Sequence, residues 1–245
     1  MIYIYGIIRN GCAPELDQYT GIGSPPAHVQ AIPTEDYDFV VSEVEQPGTL
    51  TPDDVITHAN VLNKLFDSTE VIPVKFGTVV PGVSNLPDLI RSNRKTLKDV
   101  FKQLQGRVEV GLKIYWQPES LKTRIQEHFD IDRAKREMTE NPESTYAWEI
   151  EIGQMAEQVI EQWRQTLIQT IERVLAPMAD DMVIGNMISI YMLCNVSFLI
   201  ARNKGPAFQT QVFKLEEKFG RDVQIHYVDN LPPFNFIDLQ LGGAS

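Results

Sequence analysis

Basic residues are scarce in this chain. Its 245 residues hold 22 Lys and Arg against 33 Asp and Glu, a formal net charge of −11. Nucleic acid is held by cations that displace counterions from phosphates, so this balance repels a nucleic-acid backbone overall, and no dense Lys/Arg run offsets it. An acidic surface instead keeps copies apart in water. Cysteine is nearly absent. Cys12 and Cys194 stand far apart, one in a Gly/Pro loop and one in an apolar run, so no disulfide framework is expected and a reducing cytoplasm fits. There is no phosphate loop of the G-x-x-x-x-G-K type, no dinucleotide fingerprint after the first strand, no H-E-x-x-H and no G-x-S-x-G elbow. Gly21-Ile22-Gly23 precedes prolines rather than a helix, and reads as a turn. The start, MIYIYGII, lacks a basic region and a small-residue cleavage site, and reads as a first strand rather than a signal peptide.

What is present is one long run without charge, residues 182–201. Its length suits a membrane helix, which needs about 20 apolar residues. Its composition does not. Gly185, Asn186, Ser189, Asn195 and Ser197 are spread along it, and Asn in hydrocarbon needs a partner that a lone helix lacks. Val183, Ile184, Ile188, Ile190, Tyr191, Val196, Phe198 and Ile200 are β-branched or aromatic. No basic loop flanks the run to orient it in a bilayer. We expect two central strands of a water-soluble protein's sheet.

The N-terminal half reads as strands at 2–8, 29–32 and 37–44, the last with Tyr37, Phe39 and Val41 alternating against Asp38, Val40 and Ser42. Thr51-Pro52-Asp53-Asp54 is a helix start: Thr51 caps, Pro52 suits the first position, and the acids complement the helix dipole. The apolar face expected after it is Val55, Ile56, Ala59, Leu62, Leu65 and Phe66. Pro73 confines 71–79 to an edge strand or an extended loop. Pro87 opens a second helix, with Leu89, Ile90, Leu97, Val100, Phe101 and Leu104 on one face.

In the C-terminal half Val108, Val110, Leu112, Ile114 and Trp116 alternate with Glu109, Gly111, Lys113 and Tyr115. A helix is expected from Pro118 to Phe129, a charged surface segment over 130–145, and a long amphipathic helix over 149–176. After the uncharged pair come a helix from Gly205-Pro206 to Gly220 and a last strand over 223–228. Strand, helix, strand, strand, helix, strand is the split βαβ order. The expected fold is α+β in two domains: an N-terminal mixed α/β domain (1–105) and a C-terminal ferredoxin-like domain (106–229). The tail, 230–245, carries Phe234, Phe236, Ile237 and Leu239, and should dock on the body.

Candidate chemistry is thin. Asp54 and His58 are one helical turn apart and can be drawn as an acid/base pair, but an N-terminal acid cluster beside a partnered histidine explains them better. His128, Asp130 and Asp132 lack the His or Cys spacing of a metal site. His226 reads as a sheet-face histidine and Cys194 as a core residue. Cys12 has no base nearby except Arg9, which argues against a nucleophile. Tyr115 and Trp116 invite an RNA-binding reading, but Trp116 falls in register with the core and the net charge opposes it. No catalytic residue, cofactor or metal is expected.

Four separated pieces together resemble the gas vesicle protein F/L family. They are Tyr3-x-Tyr5-Gly6-Ile7, Pro73-Val74-Lys75-Phe76-Gly77-Thr78-Val79, Glu109-x-Gly111-x-Lys113 and Pro232-Pro233-Phe234-Asn235-Phe236-Ile237-Asp238. They lie in the family's order and span nearly the whole chain. The resemblance implies a non-enzymatic accessory or minor structural protein of gas vesicle assembly, cytoplasmic and associated with the vesicle. Its implied partner is the major, very apolar shell protein, and other vesicle accessory proteins are further candidates. It would keep the shell protein from aggregating and support nucleation. Lys75, Phe76, Phe234 and Phe236 are the partner-binding residues this reading selects, with neither nucleic acid nor lipid membrane as partner. A competing expectation from another class is a small-molecule-binding regulator or enzyme using a cleft between the two domains.

Overall fold

Ile2–Arg9 (β1) is apolar on both faces, and a strand of that kind needs cover on both sides. In the computed structural model, which describes residues 1–45, 50–128, 145–189, 191–237, 239 and 241, it lies inside an antiparallel sheet. Its companions are β2 (Val29–Pro33), β3 (Tyr37–Glu43), β4 (Val71–Pro73) and β5 (Val79–Val80). The order is β2-β3-β1-β4, with β5 also paired to β1. Ile7 stands opposite Phe39 on one side and Ile72 on the other. Pro73 sits on the edge strand β4, where a missing N–H costs the ladder least.

The alternation expected in β3 is absent as a burial pattern: Tyr37 to Ser42 are all buried. The reason is position. β3 is an inner strand covered on both faces, so Asp38 and Ser42 go inside with their partners. Asp38 accepts the Gly11 N–H at 2.9 Å.

Helix α1 (Pro52–Ser68) begins with a reciprocal capping box between Thr51 and Asp54. Its buried face is His58, Val61, Leu62, Leu65 and Phe66. Val55 and Ile56, expected inside, are 47% and 59% exposed. The buried stripe starts one turn later than expected and takes in His58. Helix α2 (Leu86–Leu104) buries Ile90, Leu97, Val100, Phe101 and Leu104. Leu86 joins that face, while Leu89 is only half-buried.

A second sheet is formed by β6 (Arg107–Trp116), β7 (Asp181–Ile184), β8 (Met192–Ala201) and β9 (Val223–Leu231), in the order β7-β8-β6-β9. Its helices are α3 (Pro118–His128), α4 (Thr145–Leu175) and α5 (Gly205–Phe219). The charged segment 130–144 and Phe129 lie outside the described residues. Within α4, Val159, Leu167 and Ile171 are buried, and Trp163 packs on Trp116 with ring centroids 4.9 Å apart. The chain clusters into two units: Met1–Glu109 with Asn230–Ser245, and Val110–Asp229.

The uncharged run is indeed a strand pair. Among the described residues no helix is long and apolar enough to cross a membrane. The two strands are not both central, however. β8 is an inner strand, buried at Met192, Leu193, Cys194, Val196 and Phe198 to Ile200. β7 is at the edge, with Ile184 46% exposed. Ile188, in the connection between them, is 78% exposed. Apolar composition alone does not separate an edge from a centre. Pairing does.

Candidate functional site

Two tyrosines one residue apart on a doubly covered strand share a face and bring two hydroxyls into the core. Both are satisfied. The imidazole of His58, on α1, lies within 2.8 Å of the Tyr3 hydroxyl through Nδ1 and 3.1 Å of the Val74 carbonyl through Nε2. A carbonyl only accepts, so Nε2 carries the proton and Nδ1 accepts from Tyr3. The Tyr3 oxygen in turn accepts the Gly77 N–H at 3.3 Å. Burial lowers the His58 pKa from its ordinary 6.5 to about 4, so the ring is neutral. Burial also raises the Tyr3 and Tyr5 hydroxyls above the usual phenol value. The Phe76 ring stands edge-on to His58 at 5.6 Å, and Tyr5 stacks on the imidazole at 5.6 Å.

A second chain runs the other way from the same strand. Ile22 N–H donates to the Tyr5 hydroxyl at 2.8 Å, Tyr5 donates to Ser42 at 3.0 Å, and Ser42 donates to the His28 carbonyl at 2.8 Å. Gly21 is packed into this crossing. A Cβ there would stand 2.5 Å from the Ala27 carbonyl and from Ser42 Oγ, and 2.7 Å from the Tyr5 hydroxyl. Only glycine lets the loop approach that closely.

These contacts explain the turn after β4. Lys75 to Thr78 closes through Thr78 N–H and Oγ1, both on the Lys75 carbonyl at 3.2 and 2.7 Å. Gly77 has φ +85°, the sign a type II turn needs at its third position. Val74 N–H donates to Tyr5 and Ile4 N–H to Thr78, at 2.9 and 3.0 Å. The first two family pieces are thus one object: β1 pinned to a rigid turn through a neutral histidine.

Asp54 does not join His58. Its carboxylate takes Thr51 N–H and hydroxyl at 2.9 and 2.7 Å and Gly23 N–H at 3.0 Å, and these bonds lower its pKa. Acid/base work needs a group free to exchange a proton with a substrate. His58 has both nitrogens engaged inside the core, and Asp54 is a cap.

The tail closes on the first unit. Asn235 donates its N–H to one oxygen of Glu109 at 2.9 Å and its side-chain amide to the other at 2.5 Å. Glu109 is 2% exposed, an exception to the alternation of β6. Asn230, at the foot of the tail, has φ +53° and donates to Asp67 at 3.4 Å. Asn tolerates that left-handed region better than most residues.

The four residues selected as partner-binding fall in different settings. Lys75 is exposed, Phe76 half-buried against His58, and Phe234 39% exposed. Phe236 is buried within the tail's short helical turn. His128 has no described side chain, and Asp130 and Asp132 lie outside the described residues. Among the described residues no group of His, Cys, Asp and Glu could hold a metal. His226 is exposed on β9, its ring 5.4 Å from Tyr115. Cys12 is exposed, and burial pushes the Cys194 thiol up to about 12. A groove of about 310 Å³ in the first unit is lined by Tyr19, Thr57, Asn60, Lys64 and Asp67. Asn60, Lys64 and Asp67 are themselves exposed, so it offers open polar surface rather than a dry site.

Sequence reasoning missed the Tyr3–His58–Gly77 and Glu109–Asn235 linkages. The available signal was chemical: tyrosine hydroxyls and a carboxylate in apolar strands, and an imidazole one turn before Val61 and Leu62 on the apolar face of α1.

A chain folded in this way falls, by comparison with known proteins, in a class of gas vesicle proteins. A family model described as gas vesicle synthesis protein GvpL/GvpF matches residues 1–238, and the chain belongs to that family. It is 28% identical over 243 residues to gas vesicle protein F of Dolichospermum flosaquae, covering 97% of this chain and 98% of the relative. It also resembles the crystal structure of GvpF from Microcystis aeruginosa, with TM-score 0.76, 25% identity, and 96% and 98% of the two chains covered. GvpF from an Anabaena species gives TM-score 0.77 at 26% identity, with 96% and 94% covered. The mixed α/β fold with two antiparallel sheets is therefore shared with these solved proteins.

Proposed function

We propose that this chain is an accessory protein of gas vesicle assembly that holds the apolar shell protein, keeps it from aggregating and supports nucleation of the shell. The observation that carries the reading is the family match across residues 1–238. An exposed sheet edge offers backbone N–H and C=O groups to a strand of the shell protein, and apolar pockets take its side chains. The charge of −11 keeps loaded complexes apart. Lys75, Phe76 and Phe234 are the side chains we assign to partner contact in the first unit. Phe236 contributes by anchoring the tail. A non-catalytic role agrees with a buried histidine whose two nitrogens are both engaged. We place the protein in the cytoplasm, on the vesicle.

We read the second unit as a split βαβ, ferredoxin-like fold. Counted within that unit, the strand order is 2-3-1-4, which is the order that fold requires. Helix α3 is an addition before the first crossover helix.

The test uses shell protein solubilised in urea and diluted into buffer with and without this chain. We expect delayed light scattering and co-precipitation of the two proteins. Scattering that rises at the same rate, with no co-precipitation, rejects the reading. Removing the gene from a vesicle-forming cell should lower the number of vesicles or alter their shape.

A further inference from the structure

Among the described residues, and apart from the two-residue β5, four strands edge the two sheets, and three of them are guarded. β2 is five residues long and ends in Pro33. β4 has three residues and includes Pro73. β7 has four, and the Asp181 carboxylate takes the neighbouring Met182 N–H at 2.8 Å. Short length and proline are among the usual means of stopping strand addition, and it is in these that β9 differs. The fourth edge, β9, runs nine residues, Val223–Leu231, with no proline before Pro232. That is a ladder of roughly 30 Å which, among the described residues, has a neighbour on one side only.

The side chains along β9 agree with an open flank. Gln224, His226, Val228 and Asp229 are exposed, Val228 at 51%. Ile225 and Tyr227 are half-buried.

We propose that the β9 edge within the second unit, Val223–Asp229, receives an extended, uncharged apolar strand of the shell protein as an added strand of the sheet. The inference rests on the shell-binding reading above and names the surface. Charge selects the occupant. A second copy of this chain also carries −11, and Asp229 stands on the edge itself, so edge-to-edge pairing of two copies is opposed. An uncharged strand meets no such repulsion. Exposed Val228 and half-buried Ile225 lie on opposite faces of the strand and offer apolar contact on each.

The experiment combines amide hydrogen exchange on the full chain with binding of urea-solubilised, fluorescently labelled shell protein. Alternate amides of Val223–Asp229 should exchange at least tenfold more slowly in the complex. Val228→Lys should weaken binding about tenfold. A matched control, Ile56→Lys on the exposed first turn of α1, should bind as wild type. If the wild-type chain binds but β9 amides are unchanged and Val228→Lys binds normally, the β9 assignment falls and the shell-binding reading stands. Absence of wild-type binding removes both. If β9 becomes protected with rising protein concentration and no shell protein, the occupant is a second copy and the proposal is overturned.

Discussion

The Glu109 carboxylate holds Asn235 by two hydrogen bonds, one to the main-chain N–H and one to the side-chain amide, across 126 residues of sequence. Glu109 is an acid in a strand whose core positions are apolar, and it is buried at 2% exposure. A buried acceptor of this kind is expensive to leave unmet, so the two residues depend on each other. Glu109→Gln swaps one acceptor oxygen for an NH₂ group that faces a donor. We expect a loss of about 1–3 kcal/mol in urea unfolding and faster proteolytic removal of the tail. Asn235→Ala should release the tail similarly. Tail cleavage at the wild-type rate in both variants would mean that other contacts hold it.

His58 makes folding depend on pH in a defined window. Its folded pKa of about 4 lies below its ordinary 6.5 because burial disfavours the charged ring. The unfolded state therefore binds a proton that the folded state refuses, and stability falls as pH drops from about 6.5 to about 4. Below that range both states are protonated and this contribution is gone. The full loss is on the order of 3 kcal/mol. Urea titrations at pH 7 and 4.5 should show it, and His58→Phe should flatten the slope in that interval while lowering stability at pH 7.

Gly21→Ala should destabilise the first unit by about 1–3 kcal/mol, because its Cβ collides with the Ala27 carbonyl and with Ser42 and parts the Tyr5–Ser42 bond. Gly11→Ala is the contrast. Nothing lies within 4 Å of its Cβ, so only the strain of φ +72° remains, about 1 kcal/mol. Thermal melts of the two variants should rank in that order.

Lys75 and Phe76 separate binding from folding. Lys75 is exposed at the start of a turn that it closes through its main-chain carbonyl, so Lys75→Ala should leave the melting temperature within the error of wild type. Phe76→Ala removes a ring packed on His58 and Tyr3 and should cost about 1–2 kcal/mol. If Lys75 meets the shell protein, Lys75→Ala weakens co-precipitation without touching stability. Unchanged co-precipitation removes Lys75 from the contact surface.

Much of this fold is legible in the order of residues because local rules are strong where they act alone. The capping box at Thr51 and Asp54, the strand-breaking effect of Pro73, the end of α5 at Gly220 and the alternation through Val108 to Trp116 depend on neighbours within a few positions. The uncharged run 182–201 is readable as strands for the same reason: its β-branched and polar residues suit a sheet and not a bilayer. Tertiary structure decided which of those strands became an edge and which an inner strand. It buried Asp38 and Ser42 in β3, and it turned the first helical turn, with Val55 and Ile56, out to water. It also joined Tyr3 to His58 and Glu109 to Asn235. A sequence records that a buried polar group needs a partner, but the partner is chosen by which strands lie side by side, and that choice is made over distances along the chain that no local pattern spans.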